Sequence, residues 1–248
     1  MKRNDQQAYD RGTSLFSPDG RIYQVEYARE AVKRGAPAVG VRASDGVVLA
    51  AQTRTSSSLM ETESVEKLHK LDDHIGAASA GHVADARQLV DDARQECQVN
   101  RLRYGEPIGL ETLTKALTDD IQESTQFGGT RPYGASLLIG GMDDGAPGLF
   151  ATDPSGTPQE WKAVAIGGSR GEIQEYLEEN WSPDLSTDDA VTLALAALLA
   201  GVDSLTGEEA SVAVVTADGY RHLSTEELDE VLEEVRPADA DGDADADE

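Results

Sequence analysis

Several groups of residues in this chain have the types that chemistry requires. Gly167-Gly168-Ser169-Arg170-Gly171 sets a glycine-rich run beside a hydroxyl and a guanidinium, the ingredients of a phosphate cradle. It lacks the Lys-Ser/Thr pair of a P-loop and the G-x-G-x-x-G spacing, so it reads as a tight strand-to-helix turn. His82 beside Gly81 offers a general base, although a lone histidine at a helix start is ordinarily a surface residue. Asp72-Asp73, Asp91-Asp92, Asp119-Asp120 and Asp143-Asp144 offer metal carboxylates, but in so acidic a chain paired aspartates belong on solvated faces. The four histidines show no metal-ligand spacing, and no G-x-S-x-G elbow is present. A single cysteine, Cys97, excludes an intramolecular disulfide and a cysteine-rich metal site. No metal and no cofactor is expected.

The 248 residues can hold one large domain with a sizeable core. Forty-seven acidic against 21 basic side chains give a net charge of −26. Such a balance argues against nucleic acid or an anionic membrane as a partner. Apolar periodicity runs through most of the chain, which argues against disorder. The charge reads as adaptation to high salt, where short screening lengths relieve self-repulsion. Met1 to Gln7 is polar and no apolar h-region follows, so the expected location is the cytoplasm.

The elements that must position these residues follow from pattern. Ser17-Pro18-Asp19-Gly20 is a turn, and Ile22 to Arg34 a helix with Ile22, Val25, Arg29 and Val32 on one stripe and Glu30 supported by Arg34. Gly35-Ala36-Pro37 breaks it. Val39-Val41-Ala43 and Val47 to Ala51 are strands around an Asp45-Gly46 hairpin turn. A strand, Ile75 to Ala80, precedes a helix with Val83, Ala86, Val90, Ala93 and Cys97 on its core face, then a helix carrying Leu110, Leu113, Leu117 and Ile121. Strands follow at 135–139, 149–152 and 161–166. Ser169 to Glu172 has capping-box spacing ahead of a helix, and the apolar helix 188–200 should be buried between layers. Strands 212–216 and 220–223 turn at Asp218-Gly219, and Ser224 to Glu227 caps a last helix. Residues 237–248 form an Asp/Ala repeat expected to be disordered. Hairpins alternating with helix pairs give an α+β fold with antiparallel sheets packed on each other and helices outside.

Tyr9-Asp10-Arg11, Phe16-Ser17-Pro18-Asp19-Gly20-Arg21 and Gln24 to Val32 together resemble the N-terminal signature of α-type proteasome subunits. Ser64 to Lys67, Gly81 with Val83 to Arg87, Gly128-Gly129 with Arg131-Pro132-Tyr133-Gly134, and Asp153-Pro154 with Gly156 extend the likeness over residues 8 to about 235. The acidic bias is similar to haloarchaeal members. The resemblance implies the four-layer αββα sandwich of N-terminal nucleophile hydrolases. It divides the chain into a gate segment and ring-packing helix (1–35), the sandwich (36–236) and an acidic tail (237–248).

Catalytic β-type members of that family attack with a threonine freed from a Gly-Thr bond, its own amine acting as base. The equivalent strand start here is Gly35-Ala36, and alanine has no attacking atom. Gly12-Thr13 is a stray Gly-Thr bond well before the first strand. The resemblance therefore implies a non-catalytic subunit of the outer rings of the 20S core, each ring a homo- or hetero-heptamer. Its implied partners are β-type subunits, an AAA ATPase activator docking through C-terminal tails, and unfolded proteins in transit. Tyr9, Asp10, Arg11, Pro18, Glu26, Tyr27 and Arg29 fall to the gate. Lys67, at the catalytic sibling's lysine position, and Gly81 fall to the activator pocket, and Phe127, Gly128 and Gly129 to the inner constriction. Two other readings stand beside this one. A catalytic threonine peptidase of the same fold would mature to a chain beginning at Thr13 or near Ala36, and a free-standing binding domain would remain a monomer in high salt.

Overall fold

A computed structural model describes residues 16–55, 57, 59–127 and 130–235. The first helix, α1 (Tyr23–Lys33), buries Val25, Ala28 and Val32. Arg29 is drawn from the expected apolar stripe by an ion pair described below, and Ala28 takes its place. Glu30 pairs with Lys33 at 2.6 Å, one residue short of the expected Arg34. The chain then enters a hairpin, β1 (Ala38–Arg42) and β2 (Gly46–Gln52), around Asp45-Gly46 as the dipeptide predicts.

Further along lie β3 (Leu68–Asp72), β4 (Ile75–Gly81), α2 (Val83–Tyr104), α3 (Leu110–Gln126), β5 (Ala135–Asp143), β6 (Ala146–Thr152), β7 (Pro158–Glu160) and β8 (Ala163–Ile166). The last third carries α4 (Arg170–Asn180), α5 (Thr187–Gly201), β9 (Ala210–Thr216), β10 (Gly219–His222) and α6 (Thr225–Val235). The strands form two five-stranded antiparallel sheets, β10-β9-β2-β1-β8 and β3-β4-β5-β6-β7. Helices α2 and α3 cover the second sheet, while α4, α5 and α6 cover the first. The architecture is the expected α+β αββα sandwich.

Three apolar layers hold it together. Between the sheets Leu49, Leu138 and Leu149 are wholly buried. The layers under the helices centre on Leu195 and Leu198 in the first sheet's cover and on Leu113 and Ile121 in the second's. The sheets interlock through glycine gaps: a Cβ on Gly40 would lie 2.7 Å from Leu149 Cδ1, and one on Gly140 2.6 Å from Val47 Cγ1. Truncating such a leucine to alanine costs about 2–5 kcal/mol.

The structure departs from pattern at four further places. The run 161–166 does not make one strand: β7 ends before Trp161 in the second sheet, and β8 starts after it in the first. Ser169 caps nothing, because its backbone is left-handed (φ 49°); a complete capping box forms instead at Ser186 with Asp189. Val83 is exposed, and Leu89 takes the core place expected of it. Helix α5 lies in the outer layer rather than between layers, its flanks covered by α4 and α6. Strand β8 has a free edge, and the Gln174 amide of α4 occupies it, accepting from Ala165 N–H (3.1 Å) and donating to the Ala163 carbonyl (3.5 Å).

Candidate functional site

The site is built around the backbone joining α1 to β1. The Gly35 carbonyl accepts the Gly168 N–H at 2.8 Å. Gly35 lies so close to β4 that a Cβ on it would fall 2.4 Å from the Gly81 nitrogen. Gly81 has φ +107°, and a side chain there would strike the Gly134 carbonyl at 2.3 Å. A Cβ on Gly167 (φ +92°) would lie 2.7 Å from the Ala36 carbonyl oxygen. Gly167 and Gly168 are thus spent on backbone approach to Gly35-Ala36, as the tight-turn reading requires, while Gly171 faces open space.

Lys67 reaches the same point from the start of β3. Its ammonium donates to the Ala36 carbonyl at 3.3 Å. The residue is only 8% exposed, unlike a solvated surface lysine. Burial pushes its pKa down to about 8, and no neighbouring charge offsets that cost among the described residues. Ala36 stands two residues ahead of β1, and its methyl side chain offers Lys67 no nucleophile to activate.

On α1, Arg29 donates two parallel hydrogen bonds to Asp153, both 3.0 Å, and a third to Glu26 at 2.7 Å. Asp153 also accepts the Ser155 N–H (2.8 Å) and its hydroxyl. Burial pushes the Asp153 carboxyl up, but the bonds from Arg29 and Ser155 outweigh it and hold it below the usual range. The helix is thereby tied to the turn after β6. Ahead of it the Ser17 turn closes as expected, with Gly20 N–H on the Ser17 carbonyl at 2.8 Å, and leaves Pro18 exposed. Tyr27 is 47% exposed. Tyr9, Asp10, Arg11, the Gly12-Thr13 bond, Gly128, Gly129 and the tail 237–248 lie outside the described residues.

Phe127 follows the last residue of α3 and is 57% exposed. The described residues that follow, from Thr130 to Gly134, are pinned twice. The Thr130 hydroxyl donates to the Ser124 and Phe127 carbonyls at 3.0 and 2.9 Å. Buried Asp85, in the first turn of α2, then takes two bonds from Arg131 (2.6 and 2.7 Å) and one from Gly134 N–H (2.8 Å). The Arg131 bonds hold its carboxyl well below the usual range. In the sequence Asp85, Arg131 and Asp153 stand out only as parts of runs. Their pairing, 46 and 124 residues apart, has no local signal.

The other candidates are otherwise engaged. His82 is an exposed N-cap without a side-chain cap bond. Asp72 pairs with Arg101 at 2.9 Å, Asp73 with Lys70 at 2.7 Å, and Asp143 caps α3 through Leu110 N–H at 3.0 Å. Cys97 is buried, and burial pushes its thiol up to about 12. Among the described residues no group of three His, Cys, Asp or Glu is placed to hold a metal ion, and no helix is long and apolar enough to cross a membrane.

Comparison with known proteins places these features in context. Residues 32–215 match the family model of the proteasome subunit, and residues 9–31 match that of the N-terminal signature of A-type proteasome subunits. The chain is 64% identical over 248 residues to the proteasome alpha 2 subunit of Haloferax volcanii, covering 100% of this chain and 98% of the relative. It is 62% identical over 231 residues to the proteasome alpha 1 subunit of that organism, covering 92% of each. It is 60% identical over 250 residues to the proteasome alpha subunit of Natronomonas pharaonis, covering 99% of this chain and 98% of the relative.

Proposed function

From the premise that the chain belongs to the proteasome subunit family, as a non-catalytic α-type member, we propose that it builds the outer heptameric ring of a 20S core, gates entry to the proteolytic chamber and docks a regulatory ATPase. The observation that carries this is the Lys67–Ala36 bond. Lys67 faces Ala36, which carries no nucleophile, and a buried ammonium in that place favours a role other than catalysis. In this reading, Lys67 and Gly81 serve the pocket for an activator's C-terminal carboxylate, where a charge-assisted contact can bias a gate between states a few kcal/mol apart. Residues 1–35 are the gate and ring-packing segment, 36–236 the frame and 237–248 an acidic tail.

Tyr9, Asp10 and Arg11 belong to the gate itself. Pro18 and Tyr27 support it through contacts with the next protomer, and their exposure favours that role. Glu26 and Arg29 also serve the gate: Arg29, braced by Glu26 within α1, ties the helix to Asp153 of the frame. Phe127, with Gly128 and Gly129, forms the constriction below. The ring is homo- or hetero-heptameric, since Haloferax volcanii has two α relatives. The further partners are β-type subunits, the AAA ATPase and unfolded proteins passing through, and the location is cytoplasmic.

The test is co-expression with β-type subunits in high salt. Electron microscopy should show a seven-membered ring with β subunits bound to it. Lys67→Ala should assemble equally and lose ATPase-stimulated protein degradation. Intact stimulation would remove Lys67 from the pocket, and a wild-type monomer would remove the ring.

A further inference from the structure

Helix α3 is closed by a group from outside itself. Its C-cap, Phe127, is extended (φ −85°, ψ 125°), and no basic side chain stands in the last turn to meet the open end. An α-helix leaves its last four carbonyls without partners inside the helix. Two of these, on Ser124 and Phe127, are met by one residue further along the chain. The Thr130 hydroxyl lies 3.0 Å from the first and 2.9 Å from the second, its one proton shared between them. The Thr130 N–H also donates to the Phe127 carbonyl, at 3.4 Å. Phe127 is thus tethered twice through its backbone, both times by Thr130.

Thr130 reaches back from a fixed base. The next residue, Arg131, holds the buried Asp85 of α2 with two bonds, and Asp85 also takes the Gly134 N–H. Pro132 is buried, and the Gly134 carbonyl accepts the His82 N–H at 2.9 Å. Phe127, by contrast, stands largely in water. A side chain with so few neighbours draws little of its position from packing. Where it stands is set by its backbone, and its backbone by Thr130. Thr130 is exposed as well, so its hydroxyl does not serve the core.

We propose that Thr130 is a positioning residue for translocation: its hydroxyl fixes the Phe127 ring in the path of the substrate and so sets how wide a polypeptide the particle admits. A phenyl ring is a stop of constant size only while its backbone is held. The shared bond to two carbonyls resists both unwinding of the last helical turn and rotation of Phe127 away from it. Without the hydroxyl, Phe127 keeps only the long N–H tether from residue 130, and the aperture no longer has a single width. The proposal rests on the reading of Phe127 as the constriction and adds the group that holds it.

The test uses the particle assembled with β-type subunits and driven by its ATPase in high salt. Two substrates are compared: an unfolded linear polypeptide, and the same polypeptide closed into a loop by one disulfide, so that two strands must pass abreast. Wild type should degrade the linear form faster, and Phe127→Ala should bring the two rates together. Thr130→Val, close in shape but without the hydroxyl, should raise the looped-to-linear ratio about fivefold, the weight of one net hydrogen bond. Thr130→Ser, which keeps the hydroxyl, should restore the wild-type ratio. A ratio relaxed by Phe127→Ala but not by Thr130→Val would overturn the positioning role and spare the constriction reading. Equal relaxation by the valine and serine variants would also overturn it, since the hydroxyl would then not be the cause. A wild-type ratio in Phe127→Ala would overturn both readings.

Discussion

Replacing Lys67 by methionine should stabilise the protein while disabling it. Methionine keeps the length of the side chain and removes the ammonium. Burial lowers the lysine pKa from 10.5 to about 8, and no neighbouring charge is a cause of the shift. A drop of that size corresponds to a charging penalty on the order of 3 kcal/mol in the folded state. The substitution also deletes the bond to the Ala36 carbonyl, a loss of about 1 kcal/mol. The net expectation is a gain of about 2 kcal/mol at neutral pH, or roughly 4–8 °C in melting temperature for a domain of this size. The folded pKa lies below the unfolded one, so between about 8 and 10.5 the unfolded chain holds a proton the folded chain has released. Wild-type stability therefore climbs with pH across that window, and the methionine's advantage is full below it and fades through it. Urea unfolding of the isolated protein at pH 7 and pH 9.5, in high salt, measures both. In the assembled particle the same variant should lose ATPase-stimulated degradation. A methionine variant less stable than wild type at pH 7, or a gain of equal size at both pH values, would refute the argument that the buried charge is a liability kept for use.

Asp85→Asn should cost about 2–3 kcal/mol, because Arg131 and the Gly134 N–H lose a buried carboxylate. Since that carboxyl's folded pKa is lowered, its stabilisation is present above its unfolded pKa and is lost as pH falls through the folded value, so acid unfolding curves of wild type and variant should converge. Asp153→Asn breaks a partly exposed pair worth about 1 kcal/mol and frees α1. Peptide hydrolysis by the assembled particle without ATPase should change while particle yield does not, and an unchanged basal rate would separate α1 from the gate. Gly81→Ala should fail to yield folded protein at 37 °C, because the backbone conformation and the 2.3 Å approach to the Gly134 carbonyl both forbid a Cβ; normal circular dichroism would contradict this.

What was legible in the sequence was local. Asp45-Gly46 specified its hairpin, and the Leu110, Leu113, Leu117, Ile121 spacing specified α3, because turn chemistry and helical period act over a few residues. Trp161 to Ile166 deceived because the chain changes sheets at Trp161-Lys162 without a glycine or proline to mark the break. Ser169 deceived because capping spacing does not reveal that Gly167 and Ser169 bend left-handed around Ala36. At the site, Ala36 and Lys67 were readable as types and positions through family resemblance. That one bonds the other is a tertiary fact, as are the Arg29–Asp153 and Asp85–Arg131 pairs.

Gln174 bears on the time between synthesis and assembly. An amide side chain offers the same donor and acceptor as a peptide unit, so at β8 it imitates one residue of an absent sixth strand. An unsealed edge would be a template on which any copy's extended segment could polymerise, and such growth has no fixed end point. By occupying that edge from within, one glutamine leaves side-chain contacts as the means of association along β8. An unassembled copy then offers one template fewer for open-ended strand addition.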